Sequence, residues 1–294
     1  MNDELRTALR ELVLAAGPHW ATAIENSLAN SKCEILALNP DSTSGSAVDR
    51  QATVTLGGRP LVPADFSWPR DRGGQLMQFL LQVDLKEILP PQQYGLLMPT
   101  EGRLTVFRSA QILTMADKDR KAFQLTIEIT DSNCTVLSPP LENPPPISPP
   151  LLPAHAFTTE SVWSLDVEKL NIEMLTFALP QNFATALLGW ALKYNLYTCG
   201  HGYFFGSGRN VEEEKEICAF AAGGISWDRN RSRDSHYSHL TALKDNWILL
   251  ARICEGTLFQ NGSGEKNKIT SSDILIQKDD LAQGLFERAW LISR

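Results

Sequence analysis

Between Leu56 and Phe107 the chain places glycine, proline and tryptophan at points that fix its backbone path. Gly57-Gly58-Arg59-Pro60 opens the stretch, Trp68-Pro69 and Gly74-Gln75-Leu76 follow, and Phe79-Leu80-Leu81-Gln82-Val83-Asp84-Leu85 continues as an apolar run. After a spacer come Met98-Pro99, Gly102-Arg103-Leu104 and Val106-Phe107. Glycine opens backbone conformations closed to other residues, proline removes most of them, and tryptophan needs a large apolar site. The pattern predicts two strands delivered by tight turns, with Trp68 as a core anchor.

A second near-continuous apolar run, Trp247 to Ile253, matches Phe79 to Val83. Runs that do not alternate have both faces covered, so both predict central strands. Gln82 and Arg252 then become polar groups at buried positions, each needing a partner or a cleft. Gly57-Gly58 before Trp68 and Leu80-Leu81-Gln82 is echoed by Gly223-Gly224 before Trp227 and Leu249-Leu250-Ala251, as a duplicated β unit or a chance likeness would give.

Elsewhere, Leu5, Ala8, Leu9, Leu12, Val13 and Ala16 predict an amphipathic helix over residues 3–16, stopped by Gly17-Pro18, with a second helix over 20–30. Cys33 to Leu38 reads as a strand and residues 39–47 as a polar turn region. Phe123, Leu125, Ile127 and Ile129 alternate with polar residues as in a strand with one wet face, and a turn at residues 131–133 leads to a short strand through Val136. Ser138 to Pro153 holds eight prolines in sixteen residues, an extended connector that cannot donate ladder hydrogen bonds. Beyond it a helix is expected over 181–194, strands over 203–205, 217–221, 247–254 and 274–277, and a closing amphipathic helix with Asp279 and Asp280 in its first turn and Leu281, Leu285, Phe286 and Trp290 on its buried side. The expected organisation is residues 1–137 with the N-terminal helices and a first β-rich half, 138–153 as connector, and 154–294 as a second β-rich half with the C-terminal helix, all forming one compact unit. The fold class is α+β, mainly β, with mixed or antiparallel sheets in two related halves.

The composition bounds the function. Over 294 residues, 43% hydrophobic and 21% charged content describes a globular chain, and a net charge of -7 argues against a general nucleic-acid surface. The one dense basic run, Arg229 to Arg233, is interleaved with Asp228 and Asp234 and reads as a solvated loop. No apolar run is long enough to cross a bilayer, and the N-terminus lacks a signal core, so neither a membrane nor an export route is expected and the cytosol is the expected location. Cys33, Cys134, Cys199, Cys218 and Cys254 are scattered without a Cys-x-x-Cys pair, as suits reduced thiols.

The order Gly-Gly-x-Pro, Trp-Pro, Phe-Leu-x-Gln-x-x-Leu and Met-Pro followed by Gly-x-Leu-x-x-Phe resembles the YwqG-like family, also called the domain of unknown function 1963. The likeness extends, more loosely, through Trp247-Ile248-Leu249-Leu250, Ile274-Leu275-Ile276, Asp280-Leu281 and Phe286-Glu287-Arg288-Ala289-Trp290. Ala251-Arg252-Ile253-Cys254 stands where that family has Gln-Ile-Asp, and Ser271-Ser272-Asp273 replaces its Trp-Gly-Asp lead. Its His-x-x-Gly-Tyr-Pro element has no clear counterpart around residues 222–227. The resemblance implies a mainly β, α+β fold and supplies no reaction. The bacterial setting of relatives implies a role beside toxin or other conflict systems, for example as an immunity protein.

No catalytic centre is legible. The expected function is a non-catalytic binding protein for a protein or small-molecule ligand, with its groove between the β-rich halves and Gln82, Asp84, Arg252 and Trp68 as candidate binding residues. No cofactor and no metal is expected: His236 and His239, with Cys199 and His201, lack the paired spacing of a zinc site. Gly200 to Gly208 reads as a glycine-turned hairpin, because a phosphate loop would continue into Gly-Lys-Ser/Thr. Glu212-Glu213-Glu214 reads as an exposed acidic run. The competing class is a hydrolase or other enzyme working through His201, His236 and His239.

Overall fold

The computed structural model describes residues 32–40, 53–71, 73–90, 95–109, 123–128, 134–140, 152–165, 201–206, 211–255 and 271–293, together with residues 7, 11 and 14. Thr7, Glu11 and Leu14 are helical and exposed, off the apolar stripe expected for that helix. The helices expected over 20–30 and 181–194 and the turn over 131–133 lie outside the described residues, as does most of the turn region over 39–47.

The fold is α+β. Its strands are β1 (Lys32–Pro40), β2 (Val54–Leu56), β3 (Leu61–Pro63), β4 (Gln78–Asp84), β5 (Arg103–Arg108), β6 (Phe123–Glu128), β7 (Cys134–Val136), β8 (His155–Leu165), β9 (Gly202–Phe204), β10 (Trp247–Ile253), β11 (Ser272–Gln277) and β12 (Trp290–Ser293). Among the described residues, ten of them form one sheet in the order β12-β11-β10-β9-β1-β8-β2-β4-β5-β6, and β3 pairs with β7 in a small second sheet. The described pairings are antiparallel. β4 and β10 each have a neighbour on both edges, as their near-continuous apolar runs predict.

The sheet cannot be flat. Arg108 on β5 donates to the Ser272 hydroxyl on β11 over 3.0 Å, although seven strand steps separate the two in the sheet order. At the usual spacing those steps would span about 34 Å. The sheet therefore curls on itself, and its concave face supplies one core shared by Leu81, Val83, Leu104 and Val106 from one arm with Phe204, Ala251, Ile253 and Ile274 from the other. A smaller cluster gathers Trp68, Leu76, Met77, Phe79 and Phe107.

The strand order reads alike from both ends. Exchanging β1 with β8, β2 with β9, β4 with β10, β5 with β11 and β6 with β12 leaves it unchanged. β4 and β10 are both seven residues long, and each loses register with its next neighbour near the start, at Phe79/Leu81 and Leu249/Ala251. Just past β2, Gly57 lies at φ 64° and its N–H donates to the Leu80 carbonyl over 3.0 Å. Just past β9, Phe205 lies at φ 56° and donates to the Leu250 carbonyl over 3.2 Å.

Gly57 also receives the end of the proline-rich connector, most of which (141–151) lies outside the described residues. The neighbouring Gly58 N–H donates to the Leu152 carbonyl over 2.8 Å, and a Cβ on Gly57 would stand 2.1 Å from the Pro153 oxygen. Gly57→Ala combines a left-handed backbone with a collision against main chain, so a loss of at least about 2 kcal/mol is expected in a urea titration. A loss within about 0.5 kcal/mol, the range of neutral surface changes, would show that the turn relaxes freely.

Three local expectations need correction. Residues 217–221 are not a strand but the end of helix α1 (Val211–Ala222), whose buried Val211, Glu214, Ile217 and Cys218 repeat at helical spacing. An apolar run this short does not separate a strand from the buried side of a helix. The C-terminal amphipathic helix is a five-residue helix (Lys278–Ala282) and a 3-10 turn (Phe286–Arg288), after which Trp290 begins β12. Residues 202–204 do not open a local hairpin: β9 lies between β1 and β10, far from both in sequence.

Candidate functional site

The polar residues inside the apolar strands come first. Arg252 pairs across the ladder with Tyr203 on β9, and the register continues through Ala37 to Glu160 on β8. Ala156, two pairs of residues along β8 from Glu160, leads on to Thr55, Gln82 and Thr105. Paired and alternate residues share a face. Gln82 and Arg252 therefore stand on one face, the convex one, with four strands between them and about 24 Å of sheet at the usual spacing. The structure does not bring them into one groove.

Each holds a covering element onto the sheet. The Gln82 side chain accepts from the Leu61 N–H over 3.0 Å, donates to the Leu61 carbonyl over 3.0 Å and donates to the Thr105 hydroxyl over 2.8 Å. It thus joins β4, β5 and β3. Arg252 donates through Nε to Asp273 Oδ1 over 2.5 Å, through Nη2 to Asp273 Oδ2 over 3.0 Å and to Glu214 over 2.9 Å, and through Nη1 to the Tyr203 hydroxyl over 3.2 Å. Burial opposes its charge, but the bond and the charge of Asp273 outweigh it and raise its pKa above the ordinary arginine value. Burial, against the pull of Arg252, pushes the Tyr203 hydroxyl up as well. Glu214, expected on an exposed acidic run, is fully buried on α1. Its neighbours meet cations too: Glu212 bonds Lys215 and Lys244, and Glu213 lies 3.4 Å from Arg229. For Glu212 burial works to raise the pKa, and the two lysines lower it overall.

Trp68 is buried, donates to the Met77 carbonyl over 2.8 Å and meets the Phe107 ring edge-on at 5.3 Å. Asp84 ends β4, half-buried, and accepts from Arg103 over 3.0 Å.

A second polar group lies inside the curl, where β5 and β11 meet. Arg108 donates to Glu255 Oε1 over 2.5 Å, Ser272 bonds the same carboxylate oxygen, and the Ser272 and Ser293 hydroxyls are 3.4 Å apart. The Arg108 and Glu255 side chains are 4% and 0% exposed, so the pair sits in the dry core. Arg108 Nε and Glu255 Oε2 make no hydrogen bond among the described residues. A carboxylate this deep is stable as an anion only beside a cation. The cluster ties the two arms together through side chains.

Comparison with known families matches residues 55–293 to the family described as Domain of unknown function (DUF1963). The chain belongs to the DUF1963 family. No match was found among curated proteins.

The candidate histidines of this DUF1963 chain lie on different elements. His201, just before β9, packs against Phe157 with ring centroids 5.1 Å apart, and its main-chain carbonyl accepts from Cys254. His236 and His239 are exposed, on a 3-10 turn (Ser235–Tyr237) and helix α2 (Ser238–Ala242). Among the described residues no three or more His, Cys, Asp or Glu side chains are grouped as metal ligands. Cys134 and Cys218 are free thiols, and burial, with Glu214 and Asp273 nearby, holds Cys218 well above its ordinary pKa and so unreactive. Among the described residues no helix is long and apolar enough to cross a membrane.

Burial, with His155 close by, lowers the pKa of His201. His201 is then neutral in the fold while the unfolded chain takes up a proton near the ordinary value of about 6.5. Its contribution is complete above that pH and is lost as pH falls through the lower folded value. Urea titrations between about pH 7.5 and 5.5 should show the wild type losing more stability than His201→Phe. Equal losses would show that His201 is not a source of acid sensitivity.

Sequence reasoning missed Glu214, Asp273, Arg108 and Glu255. Glu214 had a signal: it falls on one helical stripe with Val211, Ile217 and Cys218. Glu255 had none, because its partner lies 147 residues away.

Proposed function

We propose that this DUF1963 chain is a non-catalytic binding protein of the cytosol, built from two related β-rich halves, with a protein as its partner. The observation that carries this reading is the engagement of Arg252 with Asp273, Glu214 and Tyr203 at once. Among the described residues, the polar side chains set within the central strands are committed to holding the sheet and its covers, as Gln82, Asp84 with Arg103, and Arg108 with Glu255 also are. Such a chain offers a rigid, shaped surface. Trp68, Gln82, Asp84 and Arg252 act on binding by fixing the elements that form that surface. The matching strand order, early register shifts and positive-φ turns support the relatedness of the halves. The bacterial setting implied by the family likeness suits an immunity protein that neutralises a toxin.

The enzymatic alternative has one observation in its favour, the buried His201 Nδ1, which has no hydrogen-bond partner among the described residues. Capture from native lysate, followed by reconstitution from purified components, separates the two. The binding reading predicts one protein retained in a fixed ratio and a complex that reforms from pure parts. No complex, together with a hydrolytic turnover abolished by His201→Ala, would contradict it.

A further inference from the structure

Between β9 and β10 the chain leaves the sheet for α1 and a run of short turns ending at Asn246. Residues 226–243 of this excursion place their acids and their bases differently. Asp228 accepts from the N–H groups of Asn230 and Arg231 and pairs with Arg231 Nε, so it closes the start of the one-turn helix Arg229–Arg233. Asp234 accepts from the His236 N–H in the same way, its oxygen 2.9 Å from that nitrogen. Glu216 on α1 faces inward and takes the Ser232 hydroxyl at 2.8 Å and the Trp227 ring N–H at 3.4 Å. The Thr241 hydroxyl donates to the Ser232 carbonyl over 3.3 Å and fastens α2 to the preceding turn. Both aspartates are tied into local order, Asp228 half-buried and Asp234 exposed, and Arg229, Arg233, His236 and His239 are exposed on the same stretch.

Resting on the reading as a binding protein, we propose that this face receives an acidic segment of the partner protein, with Arg229 and Arg233 as its charge anchors. Arg229 touches Glu213 only at 3.4 Å and its side chain is 71% exposed, so a closer carboxylate can displace that contact. Protein interfaces favour arginine, tyrosine and tryptophan, and here Trp227 and Tyr237 are half-buried beside the arginines. Tyr237 is braced by the Phe220 ring at 5.9 Å and the His236 ring at 5.0 Å. A face held by this many internal bonds loses little freedom on docking. The whole chain carries a net charge of -7, whereas residues 226–243 hold three arginines against two aspartates, so an acidic segment is favoured at this face over the surface at large.

The probe is a fluorescein-labelled decaglutamate peptide, followed by anisotropy at low salt, with labelled decauridylate RNA as competitor class. Three full-length proteins are compared: wild type, Arg229→Glu/Arg233→Glu, and Lys86→Glu/Arg288→Glu, which changes net charge equally at exposed sites elsewhere. Decaglutamate should bind the wild type and the control variant alike, and the reversal variant at least about tenfold more weakly, with all three melting together. Equal weakening in the control variant, no wild-type binding, or tighter binding of the RNA would overturn the proposal. A partner captured from lysate equally by wild type and reversal variant would overturn this docking face and leave the binding reading standing. Capture of no partner would remove the reading itself.

Discussion

Arg252→Ala should cost about 3 to 5 kcal/mol of folding stability, enough to unfold a marginal domain. The substitution leaves Glu214 and Asp273, both fully buried, facing each other without the guanidinium between them. Buried carboxylates without a cation must take up protons or admit water, and either route loosens the contact between α1 and the sheet. Arg252→Lys should recover only part of the loss, because one ammonium cannot reproduce the two-point grip on Asp273 together with the reach to Glu214 and Tyr203. Circular dichroism of the variant in urea reads this directly. Near wild-type stability would mean that solvent already reaches the cluster.

Trp68→Ala should cost about 3 to 5 kcal/mol. Truncation empties the centre of the smaller core, removes the edge-on contact with Phe107 and strips the Met77 carbonyl of its donor. Trp68→Phe should lose less, since it keeps most of the apolar volume and forfeits the hydrogen bond. A loss under about 1 kcal/mol for Trp68→Ala, far below that cavity range, would recast Trp68 as a contact residue.

The strands were legible where two cues agreed. Phe79 to Val83 and Trp247 to Ile253 are apolar without alternation, and both lie inside the sheet with neighbours on each edge. The turn after β2 is legible because glycine at positive φ is a local requirement that Gly57-Gly58 declares. Its counterpart after β9 was hidden, because Phe205 takes the same conformation without the signature residue. The glycine echo in the sequence stands at Gly223-Gly224, whereas the positive-φ turn after β9 stands at Phe205-Gly206.

Helix α1 was misread for a related reason. Ile217-Cys218-Ala219-Phe220-Ala221 is apolar throughout, and the helical period appears only when Val211 and Glu214 are counted with it. Glu214 looked like a surface residue between two other glutamates, yet its position on that stripe faces Arg252. Gln82 and Arg252 were found because a polar residue in an apolar strand must be satisfied. Their partners were not, since Leu61, Glu214 and Asp273 are joined to them only by folding. Arg108 and Glu255 meet only because the sheet curls, and curl is not written in any local pattern.

Arg252 clamps α1 to the sheet through Glu214, and a double-mutant cycle of Arg252→Met with Glu214→Leu measures that grip. Each single change should destabilise the protein strongly by urea titration, and the pair should cost less than the sum, with a coupling of about 1 to 3 kcal/mol. Additivity within about 0.5 kcal/mol would mean that the two residues act independently and that Arg252 is no clamp.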